Sequence, residues 1–178
     1  MPEPTPPGCL PYKKLAWNDF PVRDSGGSPA ELAETHGKIL YRYKQEWREV
    51  RRGVFEARVT ELTLTTYFDL KKSWRRSRIP ASAEPLLKHE QGHLDLTLLL
   101  QKRLSQTRPE TLEIGRGGRA EDAVADLEDR MRRWFEGHIE GNRKLQDRYD
   151  AETDHSRREG DQQAWERKIA AALKQFPG

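Results

Sequence analysis

The chain has 178 residues, of which 32 are basic and 29 acidic, for a net charge of +3. Hydrophobic and charged residues each make up 34% of it, but leucines and aromatics fall in blocks, which excludes a wholly disordered chain and suits one domain with a real core. Charge this balanced creates no general demand for a nucleic-acid partner, and no apolar run approaches the roughly 20 residues of a membrane span.

Residues 1–14 are proline-rich and read as a flexible arm, with 15–178 as a single domain. The arm lacks the apolar centre of a signal peptide. The protein is therefore expected either to stay inside the cell or to be secreted or periplasmic with its leader already removed. Cys9 is the only cysteine, so neither a disulfide framework nor a cysteine zinc site is expected. Leu15–Val22 alternates apolar and polar residues. It reads as a short strand or docking segment that plugs Trp17 and Phe20 into the core. Arg23–Pro29 is a Gly/Ser/Pro loop.

Lys38–Trp47 alternates as a strand does, with Ile39, Tyr41 and Tyr43 on one face. Gly53 breaks the run before a second strand, Val54–Asp69. There Phe55, Ala57 and Val59 share one parity, and Leu62, Leu64 and Phe68 the other. A bulge or turn near Glu61 would explain the slip. The basic run Lys71–Arg78, with Trp74 inside it, reads as a solvated turn, with a polyanion site as the alternative.

Leucines at 86, 87, 94, 98 and 99 follow a helical period, and predict a helix from Pro85 to Gln106 with Ser82 as its N-cap. Pro109 and the glycines at 115, 117 and 118 predict a loop. A long helix follows from Arg119, carrying Val124, Leu127, Met131, Trp134, Phe135, Ile139, Leu145 and Tyr149. Gly137 and Gly141 weaken it and allow a kink. A last helix carries Trp165, Ile169, Leu173 and Phe176.

The first helix contains His89-Glu90-Gln91-Gly92-His93. Residues four apart on a helix share a face, so His89 and His93 can offer two imidazole nitrogens to one Zn2+. Glu90 then lies beside the open side of the ion, where a carboxylate can take a proton from a metal-activated water and deliver it to a leaving amine. A catalytic zinc usually has three protein ligands and one open position. The third donor is expected in Tyr149-Asp150-Ala151-Glu152-Thr153-Asp154-His155-Ser156.

Trp17-x-Asp19-Phe20, Ser73-Trp74, Lys88-His89-Glu90-Gln91-Gly92-His93, Tyr149-Asp150-x-Glu152-Thr153-x-His155 and Gln163-x-x-Glu166 with Trp165 fall in this order along the chain. In order and spacing they resemble the bacterial DUF922 family, over roughly residues 15–172. Leu94 stands where the family often has Phe, and Ser156 where it tends to have Gly. The resemblance implies a zincin-like, zinc-dependent peptidase of the His-Glu-x-x-His class.

His155 is favoured as the third metal ligand, because it is the only imidazole in its block. Glu152 and Asp150 are the alternatives. Asp150 and Asp95 are candidates for orienting a ligating histidine from behind. Tyr149 is a candidate hydrogen-bond donor to the oxyanion, or else a core tyrosine. His36 and His138 read as structural or surface residues.

The expected fold is α+β, a small antiparallel sheet packed on the active-site helix and two further helices. The expected activity is metallopeptidase hydrolysis of a peptide or protein substrate, with the strand edge before the helix helping to place it. The rival readings are a catalytically inactive zinc-bound binding module and, less favoured, a basic nucleic-acid-binding domain using Lys71–Arg78. The oligomeric state is not legible.

Overall fold

The computed structural model describes residues 5–25, 31–80 and 83–176. The fold is α+β, with an antiparallel sheet and three α-helices. Its spine is a long hairpin of β3 (Gly37–Arg51) and β4 (Val54–Asp69). Gly53 turns the hairpin at φ +70°, a left-handed conformation that glycine adopts without a Cβ penalty. On the far edge of β4, β1 (Cys9–Pro11) pairs with one end and β6 (Ile114–Gly117) with the other. A second, two-stranded sheet joins β2 (Ala33–Glu34) to β5 (Trp74–Arg75).

The parity slip along β4 is a bulge. Lys44 pairs with Glu61 and Gln45 with Val59, so Thr60 is the extra residue. One extra residue returns Leu62 and Leu64 to the face already used by Ala57 and Val59. Ala57 and Val59 pack with Ala123, Leu127 and Met131, while Leu64 and Ile39 pack with Leu104. Both groups sit under the helices, so one apolar sheet face is covered along its length.

The helices are α1 (Glu84–Leu104), α2 (Ala120–Thr153) and α3 (Glu159–Leu173). Pro85 stands in the first turn of α1 as expected, whereas Ser82 lies outside the described residues. Gly137 and Gly141 do not interrupt α2, which is one element of 34 residues. Leu96, Tyr149, Trp165 and Ile169 form the cluster that joins the three helices. Among the described residues no helix is long and apolar enough to cross a membrane.

Three sequence expectations change. The described part of the arm at 1–14 is pinned: Cys9, Leu10 and Pro11 pair with β4, and the Tyr12 hydroxyl donates to Asp95 Oδ1 at 2.8 Å. Trp17–Asp19 is a single 3-10 turn, not a strand, though it does dock Phe20 against Phe68 with ring centroids 5.0 Å apart. The glycine-rich loop after Pro109 contains β6, because its glycines serve close approach, not disorder. A Cβ on Gly115 would lie 2.0 Å from Ala123 O and 2.5 Å from Leu127 N, both α2 backbone atoms. Neither atom can move without shifting the helix. Gly115→Ala is therefore expected to destabilise the fold by about 3 kcal/mol, near the upper end for overpacking. That would lower the melting temperature by roughly 6–12 °C in a domain of this size. An unchanged urea midpoint would show that α2 does not rest on β6 this tightly.

Three residues of the basic run after β4 are built into the fold, so the run is not wholly a solvated turn. Trp74 is buried and its Nε1 donates to Glu34 Oε2 at 2.6 Å. Arg75 Nε donates to Trp17 O at 2.9 Å, and Arg76 donates to Arg23 O at 3.0 Å while lying over the Trp74 ring. These two guanidinium groups tie the loop at 17–23 to the small sheet.

Candidate metal centre

His89 and His93 lie one turn apart on α1, and Asp150 faces them from the last turn of α2. His89 Nε2 is 3.0 Å and His93 Nε2 2.9 Å from Asp150 Oδ1, and the two imidazole nitrogens are 3.1 Å apart. His155 Nδ1 is 3.5 Å from the same carboxylate oxygen. His89, Asp150 and His155 place their donor atoms within 4.8 Å of one another, so this group could hold a metal ion.

The tautomers follow from two glutamines. The Gln146 amide donates through Nε2 to His93 O at 3.0 Å and to Thr97 Oγ1 at 3.3 Å. Its carbonyl oxygen therefore faces His93 Nδ1, which must donate to it. The Gln162 amide likewise donates to Tyr149 Oη at 2.8 Å and to Glu166 Oε1 at 3.1 Å, leaving Oε1 to accept from His89 Nδ1 at 3.1 Å. With both Nδ1 atoms holding protons, the neutral rings turn their Nε2 lone pairs toward Asp150. Three electron-rich atoms about 3 Å apart are mutually unfavourable unless a cation or a proton sits among them. Donors around a tetrahedral ion with bonds of 2.0–2.1 Å are about 3.3 Å apart, so the spacing fits such an ion.

Electrostatics support the same reading. Burial pushes the Asp150 carboxyl up, but when a proton takes the cation's place the hydrogen bonds it makes from His89 and His93 outweigh burial and hold the group well below the usual carboxylate range. It stays ionised. Burial lowers the basicity of His93, but the hydrogen bond to Asp150 and the Glu90 charge reverse this, so the imidazole is raised overall. Glu90 is 3% exposed, and its carboxyl is raised by burial despite the opposing fields of His93 and His89. Thr35 stands close enough to favour the charged form of Glu90. Yet neither Thr35 Oγ1 nor Glu90 Oε2 has a well-aligned hydrogen bond among the described residues. A buried carboxylate oxygen without a partner is costly and points to a ligand or water that uses it.

Glu90 opens onto a cleft of about 220 Å3 lined by Leu32, Ala33, Pro85, Leu86 and His155. No described residue of β3 or β4 lines it, so the long hairpin expected to offer the edge does not reach it. The strand at the cleft is β2. Arg75 N donates to Pro21 O and Arg23 N to Arg75 O, so Arg75 turns its peptide groups away from β2. Its antiparallel partner Ala33 then turns its own N–H and C=O away from β5.

The remaining candidates sort by contact. Glu152 accepts from Arg148 and from Trp165 Nε1, facing away from the histidines. Asp95 accepts from Tyr12 and from Gln91 and touches neither histidine, so it anchors the N-terminal segment instead of orienting a ligand. Asp150 reaches both Nε2 atoms directly and not from behind. Tyr149 is fully buried, stacks on the His89 ring at 4.6 Å, and its hydroxyl is engaged with Gln162 and His89 O. It supports the site and is not placed as an oxyanion donor. Gly92 makes room for it, since a Cβ there would lie 2.3 Å from Tyr149 Oη.

His155 follows α2 in a turn where Asp154, His155 and Ser156 have φ values of 46°, 50° and 72°. Three successive non-glycine residues in the left-handed region cost about 1 kcal/mol or more each and persist only where surrounding contacts impose them. Sequence reasoning missed Gln146, Gln162 and Thr35. The one available signal was that Gln146 lies four residues before Asp150, on the same helical face. Searches of family models, curated proteins and solved structures found no match to this chain.

Proposed function

We propose that this chain is a zinc-dependent peptidase. The observation that carries the reading is the convergence of His89 Nε2, His93 Nε2 and Asp150 Oδ1 within 3.1 Å of one another, beside the buried Glu90 Oε2, which has no well-aligned hydrogen bond among the described residues. The sequence likeness to the DUF922 family points the same way. Two imidazoles and a carboxylate form a donor set that suits zinc. When bound, the ion lowers the pKa of a coordinated water to about 7 and polarises a carbonyl.

The chain's own residues do the rest. Gln146 and Gln162 hold both imidazoles in the tautomer that leaves Nε2 free to bind. Glu90 takes a proton from the attacking water as the new C–O bond forms, and returns it to the amide nitrogen as the C–N bond breaks. Its raised carboxyl suits both halves of that transfer. The edge of β2 at Ala33 accepts an extended substrate by main-chain pairing, and Leu32 and Leu86 give the cleft an apolar wall.

A zinc-bound binding module is favoured by a different observation, the additional imidazole of His155, whose donor atom lies within 4.8 Å of those of His89 and Asp150, because structural sites fill every position with protein ligands. The test is cleavage of a peptide library by zinc-loaded and chelator-treated protein. Cleavage is expected in the loaded sample, lost on chelation and restored by added zinc. Stoichiometric zinc without cleavage of any member would favour the binding module, and failure to take up zinc at micromolar concentrations would remove both readings.

A further inference from the structure

His155 is the donor that the proposed chemistry does not use. Its Nδ1 lies 3.5 Å from Asp150 Oδ1, on the side where the cleft meets the site. Its side chain is 51% exposed, whereas that of His89 is 1% exposed. The segment that carries it is the left-handed turn at 154–156. Within the turn Asp154 N and His155 N both donate to Asp150 O, Arg157 N and Arg158 N close it onto Asp154 O and Thr153 O, and Arg157 Nη1 reaches Asp154 Oδ1 at 3.5 Å. A buried, hydrogen-bonded pair of histidines is thus joined by a half-exposed third on a strained support.

We propose that His155 is a displaceable fourth ligand, which caps the metal in the resting protein and must swing out before a substrate carbonyl or small chelator can reach it. The proposal rests on the metal site described above. Residues 154–156 hold left-handed φ values that are costly for non-glycine residues, so a rearrangement that lets them relax is favoured by the backbone. With a metal bound, coordination by His155 would oppose that relaxation. A peptide that settles along Ala33 enters the cleft that His155 lines, so binding and uncapping are linked. A ligand that binds only the uncapped form has its apparent affinity reduced by the fraction uncapped.

The test uses the full chain loaded with Co2+, whose visible spectrum reports the number and type of donors, titrated with acetohydroxamate. If about a tenth of the protein is uncapped at rest, His155→Ala should lower the half-saturating acetohydroxamate concentration by about 10-fold. It should still bind Co2+, but with a changed visible spectrum before any acetohydroxamate is added. Ser156→Gly, which relieves the strain and keeps the imidazole, should shift half-saturation the other way. Equal titrations for parent and His155→Ala would overturn the cap and leave the peptidase reading standing. Loss of Co2+ from His155→Ala would also overturn it, by making His155 an obligatory ligand. No Co2+ or Zn2+ uptake by the parent would end both proposals.

Discussion

Glu90→Gln is expected to lower peptide cleavage by about 10²–10⁴-fold, the usual contribution of a positioned acid–base group, while zinc content stays unchanged. The amide keeps the shape of the carboxylate but cannot accept the water's proton. The same substitution should stabilise the metal-free protein, because Glu90 is buried, has a partnerless Oε2 and carries a raised carboxyl. The sign is set by proton linkage. Above its ordinary value of 4.5 the carboxyl is ionised in the unfolded chain while the native one retains its proton or bears the cost of burial. The native state then binds more protons, so stability falls as pH rises through that window. Glutamine removes this dependence. The gap in melting temperature between variant and parent, measured in chelator, should be small at pH 4 and open toward pH 7. A variant that is equally active, or less stable at pH 7 without metal, would mean that Glu90 is a core residue satisfied in a way its surroundings do not reveal.

That pairing of cost and use explains what the sequence could show. His89, Glu90 and His93 were legible because their chemistry is written in one helical turn, and the helical period around them was unambiguous. The long hairpin was legible for the same reason. Its alternation broke at one point, and the break is the bulge at Thr60. What stayed hidden depends on pairings between distant segments. Asp95 is two residues from His93 yet bonds to Tyr12, while Asp150, from another helix, reaches both imidazoles. The sequence offered both carboxylates as partners of the histidines, and only the crossing of α1 and α2 selects Asp150.

Tyr149 shows the same limit from the other side. A tyrosine beside a presumed ligand suggests an oxyanion donor, but its role depends on which way the helix face turns. It turns inward, onto Gly92 and His89. The glycines of β6 misled for a related reason. In sequence they signal a loop, but in the fold they let a strand pass within contact distance of α2 backbone. The two glutamines carry no motif at all. Their function lies in the amide orientation, which their hydrogen bonds to His93 O, Thr97, Tyr149 and Glu166 impose.

Removing Asp150 should have the largest effect on the metal. In Asp150→Ala, near-stoichiometric zinc is expected to fall to background. The dissociation constant should rise by more than about 100-fold, since the loss of a partner one shell further out already costs 10–100-fold. The reason is charge as well as geometry. Burial raises this carboxyl, but the two imidazoles beside it, with a proton between them and the carboxylate in the metal-free protein, outweigh burial and keep it ionised. Among the described residues it is therefore the formal negative charge that directly joins both Nε2 atoms. Without it, two neutral imidazoles and the half-exposed His155 remain. Asp150→Asn keeps the shape and one acceptor oxygen but loses the charge, and should fall between parent and alanine variant. Glu152→Ala is the control: its carboxylate is bound to Arg148 and Trp165, so zinc should be retained in full. Elemental analysis of protein purified without added metal reads these three variants and His155→Ala. Zinc retained at full occupancy in Asp150→Ala and lost in His155→Ala would assign the third position to the imidazole, and Asp150 would then be the group that steers the histidines.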